Sequence, residues 1–323
     1  MSASIQFSES GHDRPLLDPS LSGMRRIGSR AGRVVSWDQR IMPYLFILPN
    51  MLIFGVFTIY PAINGFNLSL YSSKNGRTFQ WVGFRNFERI VTDNEFWQAL
   101  GNTLIFVAGF VALSTVFSII VAVLLESQKR GRSFFRAVFF VPVLLSPVVV
   151  GLLWHWMLQR QGGLLNEAIG AVGMSPVPWL AESGLAMVCV VAVGIWTHFG
   201  FYTMIVLAGL QSIDGNLYQA ADLDGAGGWQ KFHLVTLPLL TPTSLVVLIL
   251  STISGFQAFD FIYNFTGGGP VGGTTLMVQY IYEKAFGASP HYGLAAAGSV
   301  ILFVIVLALT LVNWLIGRKN EMD

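Results

Sequence analysis

The sequence predicts an all-α, polytopic membrane protein with six transmembrane helices, and three observations predict it. Hydrophobic residues make up 53% of the 323 positions and charged residues 11%, where soluble domains carry about 25% charge, so a globule of this composition could not cover itself with polar surface. Apolar runs as long as the ~20 residues that cross a hydrocarbon layer recur along the chain. Lysines and arginines fall unequally on the connections that alternate between them.

Residues 1–41 read as a polar, flexible tail without the apolar core and small-residue cleavage site of a signal peptide. Its Arg25, Arg26, Arg30, Arg33 and Arg40 suit anionic headgroups. A transmembrane domain over 42–317 follows, then a short C-terminus, 318–323. The first helix is expected within Ile41 to Ser73, kinked by Pro43, Pro49 and Pro61. The second is expected within Ala99 to Leu125, and the third within Ala137 to Gln159, with Pro142 and Pro147 inside it. The fourth is expected within Leu185 to Leu210, the fifth from Pro242 to about Tyr263, and the sixth from about Tyr292 to Ile316.

Six helices put both termini on one side. That side collects Arg14 and the five tail arginines, Lys129, Arg130, Arg132, Arg136, Lys231, Arg318 and Lys319; the other has Lys74, Arg77, Arg85, Arg89, Arg160 and Lys284. The positive-inside rule then places both termini in the cytoplasm. The outer connections, Ser72 to Gln98, Gln159 to Gly184 and Asn264 to His291, read as loops, with Trp81, Trp97, Trp156 and Trp179 near the interfaces. Gly267-Gly268-Gly269-Pro270 lacks the lysine of a phosphate-binding loop and reads as a flexible outer turn.

Between the fourth and fifth helices lies a polar insert, 211–241, centred on Tyr218 to Pro238. Ala220, Ala221 and Leu223 alternate with Gln219, Asp222 and Asp224 and run into Gly225, Gly227 and Gly228, which predicts a short helix closed by glycine. Thr241 and Pro242 supply an N-cap and first-turn proline for the next helix. A small-residue helix on the inner face has the build of a docking element.

Catalytic chemistry finds little support. There is no G-x-x-x-x-G-K-[ST], H-E-x-x-H, C-x-x-C or nucleophile elbow, and the single cysteine, Cys189, lies in an apolar run as a small core residue. A net charge of +2 offers nucleic acid no surface. Intramembrane polar groups mark a solute path instead. Ser254, Gln257, Asp260, Phe261 and Asn264 recur at three- and four-residue spacing, as on one helical face. Trp196, His198 and Tyr202 in the fourth helix, with Trp154 and His155 in the third, are further candidates. Two rival readings are a self-sufficient secondary carrier or channel using Asp260, and a lipid-linked sugar transferase. The first lacks a repeated pair of broken helices, and for the second Asp222 and Asp224 make a poor metal-binding cluster.

The insert reads Gln219-Ala220-Ala221, three residues, Gly225, nine residues, Val235, one residue, Leu237-Pro238. This resembles the E-A-A-x3-G-x9-I-x-L-P signature of permease subunits of binding-protein-dependent ABC importers, with Gln219 for the usual Glu and Val235 for Ile. The stretches Phe134 to Leu158, Gly194 to Asp214 and Phe256 to Pro270 look like the sugar and glycerol-phosphate uptake branch. The resemblance spans about Pro43 to Ile316 and implies the MetI-like type I importer fold, with alternating access driven from outside the chain. It further implies that Gln219, Ala220, Ala221, Asp222, Gly225, Leu237 and Pro238 couple to a separate ATPase. The partners implied are a second homologous permease, two ATP-binding subunits that hold the ATP and magnesium, and an extracytoplasmic solute-binding protein. This chain binds no cofactor on that reading and is multi-pass in the bacterial inner membrane.

Overall fold

The computed structural model describes residues 37–127 and 131–320, so Arg14, Arg25, Arg26, Arg30, Arg33, Lys129 and Arg130 lie outside the described residues, whereas Arg40, expected in the tail, falls in the first helix. The chain divides into two compact units at Thr58. The first contributes α1 (Trp37–Phe54), which leads into a π-helical turn, Gly55–Ile59. Pro61 has no N–H to return to the Phe57 carbonyl, and the wider π turn falls at that gap.

The second unit opens with α2 (Tyr60–Leu68), and the helix expected as far as Ser73 ends there. Residues beyond it turn into β1 (Tyr71–Ser72), which pairs antiparallel with β2 (Gln80–Trp81), Tyr71 opposite Trp81. α3 (Arg85–Val91) follows. Its buried Asn86 donates to the Ser69 and Tyr71 carbonyls at 2.7 and 2.9 Å, fixing the hairpin to the helix. The connection expected as a loop is thus folded.

α4 (Asn94–Ser127) and α8 (Ser183–Ser212) are long, continuous and apolar and pack on each other. Phe106 and Phe110 of α4 stack at 5.4 Å, and Phe110 meets Tyr202 of α8 edge-on. Between them in sequence, the third expected helix is two. α5 (Arg132–Leu144) and α6 (Pro147–Met157) meet at 97°. Leu145 and Ser146 are extended, with ψ of 141° and 132°, because a residue before proline is pushed out of the helical region and Pro147 cannot donate backward. α5 packs along α8, whereas α6 packs on a helix much later in the chain. α7 (Leu164–Ala171) folds the next connection, where buried Asn166 bonds to the Gln159 and Val177 backbones and to the Trp179 indole.

After α8 come α9 (Gly215–Leu223), α10 (Gly228–Lys231), a second π turn (Phe232–Thr236) and α11 (Leu237–Leu239). This π turn also precedes a proline, and Leu237 N–H reaches back to the Phe232 carbonyl. α12 (Thr241–Phe256) then leaves at 64°. Thr241 does not cap it: its hydroxyl donates to the Leu237 carbonyl at 3.4 Å, continuing the preceding turn. The fifth expected helix stops at Phe256, and after a break at Gln257 to Phe259 the chain resumes as α13 (Asp260–Phe265).

The glycine run past α13 is a hydrogen-bonded knot. Thr274 Oγ1 donates to the Gly269 carbonyl at 2.7 Å and Thr275 Oγ1 to that of Gly268 at 3.3 Å, while Thr274 N–H donates to Gly268. Asn102 of α4 donates to the Gly272 and Thr275 carbonyls, tying the knot to the bundle. α14 (Met277–Phe286) docks on α4 through Met277 N–H to Thr103 Oγ1 at 2.9 Å, and α15 (Tyr292–Asn320) is the last long helix.

Four helical stretches are therefore long and apolar enough to cross a membrane, Tyr44–Leu68, Asn94–Ser127, Ser183–Ser212 and Tyr292–Leu315, and the two bent pairs bring the number to six. The buried core of Phe106, Phe110, Tyr202, Val206, Phe256 and Phe261 lies among α4, α8, α12 and α13. Leu104, Ile105, Phe117, Val188, Phe303 and Leu311 face outward and stay exposed, the apolar exterior that a lipid-facing bundle requires.

Candidate functional site

The insert is a self-braced hairpin of helices. Asp214 accepts from Asn216 N–H at 2.9 Å, so the first turn of α9 has its cap. At the other end Gly225 has φ +75°, Gly225 N–H donates to Asp222 O and Ala226 N–H to Ala221 O, the paired bonds of a Schellman closure. A left-handed residue is required there, and glycine adopts it without cost. Tyr218 Oη and Thr236 Oγ1 are 3.0 Å apart, and Lys231 Nζ donates to Asp222 Oδ1 at 2.6 Å. Both contacts hold α9 against its return helix.

Of the residues singled out in the signature, Gln219, Ala220, Asp222, Gly225 and Pro238 are exposed, while Ala221 and Leu237 are half-buried. Asp222 is engaged by Lys231, so it does not stand free to replace the missing glutamate at position 219. Sequence reasoning missed the apolar part of this surface: Leu223 is 91% exposed and Trp229 76%, with Leu217 and Leu234 exposed beside them. Large apolar side chains on an otherwise polar insert were a legible signal of something meant to be covered.

The second site is a cleft of about 210 Å³ between the α5/α6 break and the gap that separates α12 from α13. Pro147 contributes from the α5/α6 break, Gln257, Ala258 and Phe259 from the α12/α13 break, Ser254 and His198 from α12 and α8, and Asp260 and Phe261 from α13. Four of the residues predicted for the path, Ser254, Gln257, Asp260 and Phe261, thus share one cleft, with Gln257 and Asp260 exposed in it. They do so across a break and not along one helical face, which corrects the sequence expectation. Asn264 is instead turned back to donate to the Asp260 carbonyl at 2.7 Å. Trp196 packs edge-on against Trp154 and lines an apolar groove with Ile105 and Val188. Tyr202 is buried and does not line the cleft, its hydroxyl directed at Ser254.

The break is held by close packing. At Gly151 of α6 a Cβ would lie 2.5 Å from the Phe261 carbonyl, and one turn on, His155 Nδ1 is 2.7 Å from the Phe265 carbonyl. Only a residue without a side chain lets α6 rest on α13 in this way. Discontinuous spans that leave polar backbone around one cleft are a recurring build of solute sites within membranes.

Residues 114–321 match the family model described as the binding-protein-dependent transport system inner membrane component. This chain belongs to that family. The permease is 36% identical over 279 residues to the trehalose/maltose transport system permease protein MalF of Thermococcus litoralis, covering 85% of this chain and 93% of the relative. It is 34% identical to the lactose transport system permease protein LacF of Rhizobium radiobacter, with 86% and 94% covered. It is 32% identical to the sn-glycerol-3-phosphate transport system permease protein UgpA of Agrobacterium fabrum, with 85% and 94% covered. Among solved structures, a chain of a bacterial ABC transporter involved in the import of the acidic polysaccharide alginate superposes with a TM-score of 0.77 at 25% identity, covering 87% of this permease and 97% of that chain. The fold class read from the sequence, a type I importer permease, is the one found. The alignments cover nearly the whole of these relatives and about 85% of this chain.

Proposed function

We propose that this permease forms half of the translocation path of an ATP-driven importer for a sugar or related carbohydrate, with both termini and the insert in the cytoplasm. The observation that carries the coupling role is the braced, outward-facing α9, whose exposed Gln219, Ala220 and Leu223, with Trp229 of α10, offer a compact surface between two spans. A helix closed by a Schellman turn and tied at Tyr218 and Asp222 moves as a rigid lever, so force applied to it reaches α8 and α12. Hydrolysis belongs to two separate ATP-binding subunits that hold ATP and magnesium. A second homologous permease completes the path, and a solute-binding protein delivers to the outer face.

The carbohydrate reading rests on the relatives named above and on the cleft's donor set. Asp260, Gln257, Ser254 and His198 supply carboxylate, amide, hydroxyl and imidazole hydrogen bonds, and Phe259 and Phe261 supply apolar ring surface. The test is uptake of labelled sugars in membrane vesicles that hold the permease and its co-purified subunits. ATP depletion at constant ion gradient is expected to stop uptake, and the ATP-binding subunits are expected to co-purify. Uptake that follows the ion gradient and ignores ATP would overturn the reading.

A further inference from the structure

The ends of α4, α5 and α8 enclose two guanidinium groups with one carboxylate. Arg132 and Arg136 are one turn apart at the start of α5, Glu126 lies at the end of α4, and Gln211 at the end of α8. Glu126 pairs with Arg132. With its amide turned so that the oxygen faces the arginines, Gln211 accepts from Arg136 Nη2 at 2.8 Å and from Arg132 Nη2 at 2.5 Å. The Nε–H groups of both arginines are buried and have no acceptor among the described residues. Among the described residues one positive charge is therefore unbalanced and two donors are unused, where a buried donor without a partner is costly.

We infer that this cluster binds the phosphate of an anionic phospholipid. Arginine forks match phosphate oxygens in pairs, so one phosphate at the outer guanidinium edges supplies the missing charge. The surroundings select a lipid as the carrier of that phosphate. All three helix ends belong to apolar, membrane-crossing segments, which places the pocket at the level where headgroups lie. Phe134, Val138 and Val141 form an exposed apolar stripe at helical spacing along α5, continued by Leu144 at 71% exposure, a track for an acyl chain beneath the headgroup. The inference needs only a membrane-crossing bundle and is independent of the solute carried and of the orientation.

The test uses the purified permease with its partner subunits in detergent, titrated with phosphatidylglycerol, with phosphatidylcholine, or with inorganic phosphate, followed by thermal unfolding and by native mass spectrometry. Phosphatidylglycerol is expected to raise the melting temperature and stay bound, and the other two to do neither. R136Q is expected to weaken phosphatidylglycerol binding about tenfold, the worth of one charge-assisted hydrogen bond. R136K keeps the charge and loses the fork, so an intermediate affinity is expected. Equal binding of the two lipids, or unchanged phosphatidylglycerol affinity in folded R136Q, would overturn the inference. So would stabilisation by inorganic phosphate alone, which reassigns the pocket to a soluble anion, and loss of the ATP-binding subunits from R136Q with lipid binding intact, which reassigns it to a protein partner.

Discussion

Gly225 and Asp260 carry the two residue-scale tests. At Gly225 nothing lies within 4 Å of the point where a methyl group would stand, so the constraint there is backbone and not space. A β-branched residue at φ +75° costs about 1–3 kcal/mol. G225V is therefore expected to fray the end of α9 and to cut coupled uptake more than tenfold while the amount of protein in the membrane is unchanged, as quantitative blotting beside an uptake assay would show. Asp260 lies exposed in the cleft, and D260N removes its charge while keeping the shape. A several-fold change in uptake KM or kcat is expected, and unchanged kinetics would remove Asp260 from the path. The role of glycine at 225 was legible from the glycine cluster after a small-residue helix. The engagement of Asp222 by Lys231, nine positions away, was not, because it depends on how the return helix folds back.

At the scale of elements, proline decided more than its sequence signal conveyed. Pro61 and Pro238 each follow a π turn, whereas Pro147 separates two helices at 97°. The same missing N–H has different outcomes because the neighbours differ. At Pro147 the crossing helix α6 finds a seat on α13 through Gly151, so the chain gains packing by turning. G151V would place a branched side chain against the Phe261 carbonyl and is expected to destabilise by about 1–3 kcal/mol. The expected readout is a lower melting temperature together with impaired uptake, since the displaced pair is the one that frames the cleft. Periodicity found the residues of α12 and α13 but not the gap between them, since Gln257-Ala258-Phe259 contains neither glycine nor proline. The break became visible only where Phe259 leaves helical geometry at φ −148°.

For the whole molecule, the end of the bundle opposite the insert is closed by charge. Asp93 accepts from Tyr280 Oη at 2.8 Å, and Lys284 reaches Asp93 at 3.2 Å and Glu95 at 2.8 Å, joining α14 to the start of α4. Burial works to raise the Asp93 carboxyl, but the hydrogen bonds from Tyr280 and Lys284 outweigh it and hold the pKa below its ordinary 3.8. Burial likewise opposes the Lys284 charge, and Glu95 and Asp93 overcome it, raising the pKa above 10.5. Asp93 then stabilises the fold above its ordinary value and loses that contribution as pH falls through the lowered one. Lys284 stabilises below its ordinary value and loses its contribution as pH rises through the raised one. Melting temperature is expected to stay flat between about pH 5 and 9 and to fall toward acid, and D93N is expected to flatten the acid limb while lowering the plateau.

Composition and the spacing of apolar runs determined a multi-span helical bundle, and the signature from Gln219 to Pro238 determined which connection would stand out from it, because both are properties of contiguous residues. Tertiary structure alone decided that two of those runs are broken and that their breaks meet. It also decided that Leu223 and Trp229 are left bare beside the signature and that Gln211 joins two arginines at the helix ends. The meeting of the breaks depends on what a distant segment presents at the point of contact, and no short window along the chain contains both partners.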